Sequence, residues 1–231
     1  MSRVAAFVAG LALVVVLVGW PGQVQAGNDL TMLTQDYRLL HVAIVSDSYT
    51  TGTNEGGEGP RSWPARASQI LTQAGERIVP DVAAEGRAGY VVRGDHGSVF
   101  EDLVPRAVKP DDALVVFFGS RNDQGVDPGL LAGRVSAALD LARRLAPSAR
   151  LLVIGPPWPT ADVPPAMFAI RDVLGAAAAG VGASWVDPIA DRWFVDRPDL
   201  IGADGVHPTD AGHQYMADMI APLIHMQLPP T

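Results

Sequence analysis

A hydroxyl that is to cleave an ester needs an imidazole to take its proton and a carboxylate to hold that imidazole in place. It also needs hydrogen-bond donors about 3 Å from where the oxyanion will form. This chain of 231 residues offers those residue types at the ends of successive elements. Ser48 follows the apolar run Val42-Ala43-Ile44-Val45, Gly86 stands in the turn after a second run, Asn122 follows a third, and Asp204 and His207 share a late loop. Each also has a plainer use. Ser46, Ser48, Thr50 and Thr51 are ordinary turn chemistry, Gly86 serves a turn, and Asn122-Asp123 caps a following helix. His207, ahead of Pro208, suits a polar contact at a helix start. Asp204, His207 and His213 can also be read as metal ligands, but nothing beside them points to a further ligand, and no metal is expected.

The elements that must position these residues follow from periodicity. Residues 42–45 read as a buried parallel strand, and in open α/β sheets the carboxyl ends of strands line the ligand crevice. Ser62 is expected to cap a helix that carries Ala67, Ile70, Leu71 and Ala74 at helical spacing and stops at Gly75. Residues 78–84 form a second strand, moved toward a sheet edge by Pro80. A short helix near residues 99–104 precedes the strongest strand, residues 113–118. Asp127 and Pro128 open a long helix with Leu131, Val135, Ala138, Leu139, Ala142 and Leu145 on one face. Residues 151–154 and 184–187 are further strands, with a helix at about 165–179 between them. The last helix carries Tyr215, Met216, Met219, Ile220 and Leu223 on one face, and Pro222 is expected to kink it. Strands alternating with helices predict a three-layer α/β/α sandwich around a five-stranded, mainly parallel sheet.

Composition narrows the function classes. Acidic residues outnumber basic ones 25 to 17, and Lys109 is the sole lysine, a poor match for nucleic acid or anionic membrane surfaces. The absence of Cys excludes disulfides and thiol nucleophiles. Glycines in the loop at residues 51–60 lack a phosphate-loop lysine, and Glu55 and Glu58 would repel an anion. Arg3, the uncharged run from Val4 to Trp20 and the exit Val24-Gln25-Ala26 predict a signal peptide over residues 1–26, cleaved after Ala26. Residues 27–231 then form one domain of formal charge 16 − 25 = −9, secreted or held at the cell envelope. Retention of residues 1–26 would instead make an envelope anchor.

Four short blocks, in order, resemble the SGNH (GDSL-type) serine hydrolases: Ser46-Asp47-Ser48 with Gly52, the turn holding Gly86, Gly119-Ser120-Arg121-Asn122-Asp123, and Asp204-Gly205-Val206-His207-Pro208. The resemblance implies the flavodoxin-like sandwich of that family and an acyl-serine mechanism without cofactor. It implies Ser48 as nucleophile, His207 as general base and then acid, and Asp204 as the carboxylate that orients it. It further implies an oxyanion hole from the N–H groups of Ser48 and Gly86 and the side-chain amide of Asn122. Substrates would be small-molecule, lipid or glycan esters. The chain departs from the pattern at Ser46, where glycine is usual, at Tyr49, where leucine is usual, and at Arg121, which lengthens the third block. Gly89 rivals Gly86 for the second block. Trp158 and Trp193 are either a substrate wall or partly buried aromatics. A non-catalytic ligand-binding module and an envelope-anchored protein are the alternative readings.

Overall fold

The computed structural model describes residues 39–229. The expected leader, residues 1–26, lies outside the described residues. Five strands, β1 (Leu40–Ser46), β2 (Ile78–Ala84), β3 (Leu114–Phe118), β4 (Arg150–Ile154) and β5 (Ser184–Val186), form one sheet in the order β2-β1-β3-β4-β5. Every pairing is parallel, so the expected mainly parallel sheet is parallel throughout. The helices in chain order are α1 (Ser48–Thr51), α2 (Trp63–Gln73), α3 (Phe100–Ala107), α4 (Pro128–Leu145), α5 (Pro165–Gly180) and α6 (Asp210–Gln227).

Alternation along the strands builds the layers. Val42, Ile44, Val116 and Phe118 pack with α2 and α6, whereas Ala43, Val45, Val115 and Phe117 face α3, α4 and α5. Both faces are therefore apolar, which is why the central strands read as continuous hydrophobic runs. Pro80 sits in β2 at the sheet edge, where its missing N–H removes no ladder bond from a second neighbour.

Two local expectations need correction. Ser62 occupies the N-cap position of α2, but its side chain makes no capping bond, and Pro64 in the first turn supplies the preset backbone instead. Helix α6 continues past Pro222, which leaves the expected bend there open, and it is the apolar face that differs. Its innermost face is Met216, Ile220 and Ile224, with Tyr215, Met219 and Leu223 only partly buried alongside. Among the described residues no helix is long and apolar enough to cross a membrane.

Candidate active site

Strand register explains why the scattered blocks meet. Ser46 at the end of β1 lies opposite Ala84 of β2 and Phe118 of β3, so the segments after all three strands leave the sheet side by side. Asp47 then caps α1, its Oδ1 accepting from the Tyr49 N–H at 2.9 Å, and Ser48 is the first helical residue. Its own N–H, in the first turn, has no intrahelical acceptor. A buried chain of polar groups fixes the helix to the sheet. Trp63 Nε1 donates to Thr50 Oγ1 at 2.8 Å, Thr50 Oγ1 to Ser46 Oγ at 2.7 Å, and Ser46 Oγ to the Phe118 carbonyl at 2.8 Å. The departure at Ser46 is thus a structural member and not just a small residue. Gly52 closes α1 at φ +74°, and a Cβ there would lie 2.4 Å from the Gly57 backbone.

The loop between β5 and α6 brings the second half. His207 Nε2 stands 3.1 Å from Ser48 Oγ, across 159 residues of sequence. On its other side, Nδ1 is 2.5 Å from Asp204 Oδ2. The second Asp204 oxygen, Oδ1, accepts from the N–H groups of Val206 at 2.8 Å and His207 at 2.9 Å. Burial works to raise the Asp204 carboxyl, but the His207 ring and those two N–H groups outweigh it and hold the pKa below its ordinary value. Asp204 therefore stays ionised at neutral pH, as an orienting carboxylate must.

Tyr49 ties the two halves together. Its ring is buried against Phe118 and Phe194, and its hydroxyl donates to the Val206 carbonyl at 2.6 Å, inside the loop that carries Asp204 and His207. Desolvation pushes this phenol up to about 12, so it remains a donor. The departure from leucine thus adds a clamp between the serine's helix and the histidine's loop. Tyr49→Phe is expected to lower kcat about tenfold with KM little changed, the size of one hydrogen bond. Steady-state kinetics on a short ester checks this, and an unchanged kcat would remove the clamp from the account.

The oxyanion candidates are placed as follows. Gly86 lines a cleft of about 510 Å³ together with Ser48 and His207. Its carbonyl accepts from the Asp95 N–H at 2.9 Å, and its own N–H carries no hydrogen bond among the described residues. The rival Gly89 lies instead against the Asp123 carboxylate, away from that cleft. Asn122 follows β3 in a short 3₁₀ turn whose first N–H bond is made by Ser120 Oγ, at 3.0 Å from the Asn122 nitrogen. Its side-chain amide donates to the Ala88 carbonyl at 2.9 Å and, more weakly, to Asp47 Oδ2 at 3.4 Å. Asn122 therefore stands beside the residue that precedes Ser48, despite the inserted Arg121, although it is not part of the wall of that cleft. That arginine lies over the Trp158 ring, 4.3 Å from its centroid.

Several residues that sequence reasoning passed over support the cleft. Glu85 Oε1 accepts from the N–H groups of His96 at 2.6 Å and Ser98 at 3.1 Å, folding the loop that puts His96 on the cleft wall. Asp123 accepts from three successive N–H groups, those of Tyr90, Val91 and Val92. Their signal was an acidic residue at a strand end, which is indistinguishable in sequence from a solvated charge. Trp193 is 1% exposed and belongs to the core. His213 does not join Asp204 and His207. Fully buried, it accepts from the Trp63 N–H at 3.3 Å, and desolvation lowers its pKa to about 4, so it is neutral.

Serine, imidazole and carboxylate stand in a hydrogen-bonded series at the carboxyl edge of this parallel sheet, an arrangement that suits the chemistry of a serine hydrolase. The family described as GDSL-like lipase/acylhydrolase matches residues 47–215, and the chain belongs to it. It is a carboxylic ester hydrolase. Over 232 aligned residues, and 99% of both chains, it is 65% identical to the GDSL lipase Rv0518 of Mycobacterium tuberculosis. Its fold is similar to that of TesA, with a TM-score of 0.67 at 22% identity over 81% of this chain and 99% of that one. It is also similar to a lipase/acylhydrolase from Enterococcus faecalis, with a TM-score of 0.63 at 17% identity over 83% and 98% of the two chains.

Proposed function

We propose that this chain is an exported serine esterase that removes short acyl groups from polar alcohols, with Ser48 as nucleophile. The observation that carries the chemistry is the contact of 3.1 Å from His207 Nε2 to Ser48 Oγ. Ser48 Oγ attacks the ester carbonyl carbon while His207 Nε2 takes the hydroxyl proton. The tetrahedral oxyanion then collapses, the C–O bond to the alcohol breaks, and His207 returns the proton to that oxygen. Water repeats the sequence on the acyl-serine, releasing the acid and restoring Ser48. The N–H groups of Ser48 and Gly86 and the Asn122 amide serve the oxyanion, the amide exchanging its long contact with Asp47 for the stronger charge. Export rests on the leader pattern of residues 1–26.

The substrate class rests on the cleft wall. Besides the reacting groups it is made of Thr51, Gly52, Thr53, Ala84, Glu85, Gly86, Arg87, Asp95 and His96, with one small apolar side chain among them. Apart from Ala84, no apolar side chain stands along that wall to shelter a long acyl chain, whereas a polar alcohol finds hydrogen-bonding groups. Lipid hydrolysis is the second reading, favoured by the name of the mycobacterial relative. A panel of nitrophenyl esters from two to twelve acyl carbons distinguishes them. The expected kcat/KM is highest at two to four carbons, and a maximum at eight or more would overturn the short-chain reading. Run on the same panel, Asn122→Ala should lose about a hundredfold in kcat at every length, and a loss below threefold would remove Asn122 from the oxyanion hole.

A further inference from the structure

Far from Ser48, at the amino end of the sheet, three side chains converge on the face covered by α3. His41 is the second residue of β1, Asp81 in β2 is registered one pleat further on, opposite Ala43, and Asp112 immediately precedes the approach to β3. The Ala113 N–H donates to the His41 carbonyl at 2.9 Å, which holds Asp112 beside β1. One ligand atom from each of the three lies within 4.8 Å of the others. His41 Nδ1 and Asp112 Oδ1 are buried and have no hydrogen-bond partner, and Asp81 Oδ2 has only the Lys109 ammonium beside it. Asp112 is 3% exposed, and its other oxygen is already used by the Lys109 N–H at 2.7 Å.

A buried carboxylate oxygen left without a partner, as that of Asp112 is, needs positive charge. The Lys109 ammonium reaches Asp81 Oδ2 at 2.9 Å, but its side chain is half exposed and free to leave. It is a single charge against two carboxylates. His41 Nδ1 and Asp81 Oδ2 stand 3.5 Å apart, too far for a hydrogen bond. Two ligands at about 2.1 Å from a tetrahedral ion are separated by about 3.4 Å. The α3 carboxyl end, just before Lys109, adds partial negative charge.

We propose that His41, Asp81 and Asp112 form a structural site for a divalent first-row metal, Zn²⁺ by its one nitrogen and two oxygen donors, which exchanges with the Lys109 ammonium and staples β1, β2 and the start of β3. The site lies about 20 Å along β1 from Ser48 and takes no part in ester chemistry. The full chain, stripped with a chelator and titrated calorimetrically with ZnCl₂, is expected to bind about one ion. At a hundredfold excess over Kd the melting temperature should rise by about 5 °C or more, whereas Mg²⁺, a hard cation that needs an octahedral oxygen shell, should have no effect. Asp112→Asn and His41→Gln should each weaken zinc binding by at least about tenfold, and Lys109→Met should tighten it. An Asp204→Asn/His207→Gln double variant should bind zinc as the wild type does, since the active-site imidazole is not a ligand. No stoichiometric binding, or binding lost in the double variant and kept in Asp112→Asn, would overturn the site and leave Lys109 as the resident counter-charge.

Discussion

Replacing Ser48 with alanine is expected to reduce ester turnover by about 10⁵- to 10⁶-fold, to the level that binding and oxyanion donors alone sustain. The size follows from what the hydroxyl does. No other side chain on the cleft wall offers a nucleophile at the His207 Nε2 position, where Ser48 Oγ lies at 3.1 Å. Thr51 and Thr53 also line the cleft, but Thr51 Oγ1 bonds the Gly52 carbonyl at 3.0 Å and Thr53 Oγ1 accepts from the Glu55 N–H. The fold should survive. α1 is held by Asp47, Thr50 and Ser46, none of which bonds the Ser48 side chain, so the melting temperature should stay near that of the wild type. A variant that keeps its melting temperature and more than a tenth of its turnover would refute the nucleophile.

Asp204→Asn is expected to cost about 10⁴-fold in kcat with the geometry intact. The local hydrogen bonds dictate which way the amide turns. Asp204 Oδ1 accepts from two N–H groups, those of Val206 and His207, so an asparagine must place its oxygen there. Its NH₂ group then faces His207 Nδ1, where Asp204 Oδ2 now stands at 2.5 Å. A donor at that point forces the imidazole to carry its proton on Nε2, and an Nε2–H cannot take the proton of Ser48. Turnover of a short ester by purified Asp204→Asn, beside an unchanged melting temperature, checks this. A loss under tenfold would mean that the carboxylate is not what orients His207.

Much of this could be read from the sequence because it is local. Apolar runs such as Val115-Val116-Phe117 declare buried strands by themselves, and Pro80 marks an edge because a missing donor is a property of one residue. Asp204 and His207 lie within one turn, so their pairing is visible as spacing. What could not be read depends on register. Nothing short of the β2-β1-β3 pairing shows that Gly86 and not Gly89 reaches the cleft, or that Glu85 and Asp123 are spent on backbone N–H groups. Tyr49 looked like a substitution within a motif, and its partner Val206 is 157 positions away. His213 is near His207 only along the chain, since six residues carry it into α6 and under Trp63. His41, Asp81 and Asp112 share no pattern, because their convergence is made by the pleat of two strands and the turn before a third.

The most direct measurement is reaction of the purified protein with a fluorophosphonate, followed by mass analysis of its peptides. A relay of Ser48, His207 and Asp204 predicts one phosphonyl adduct, on Ser48, that forms with loss of turnover, slows sharply in His207→Gln and is absent in Ser48→Ala. An adduct on another residue, or full activity in protein that carries the adduct on Ser48, would contradict it.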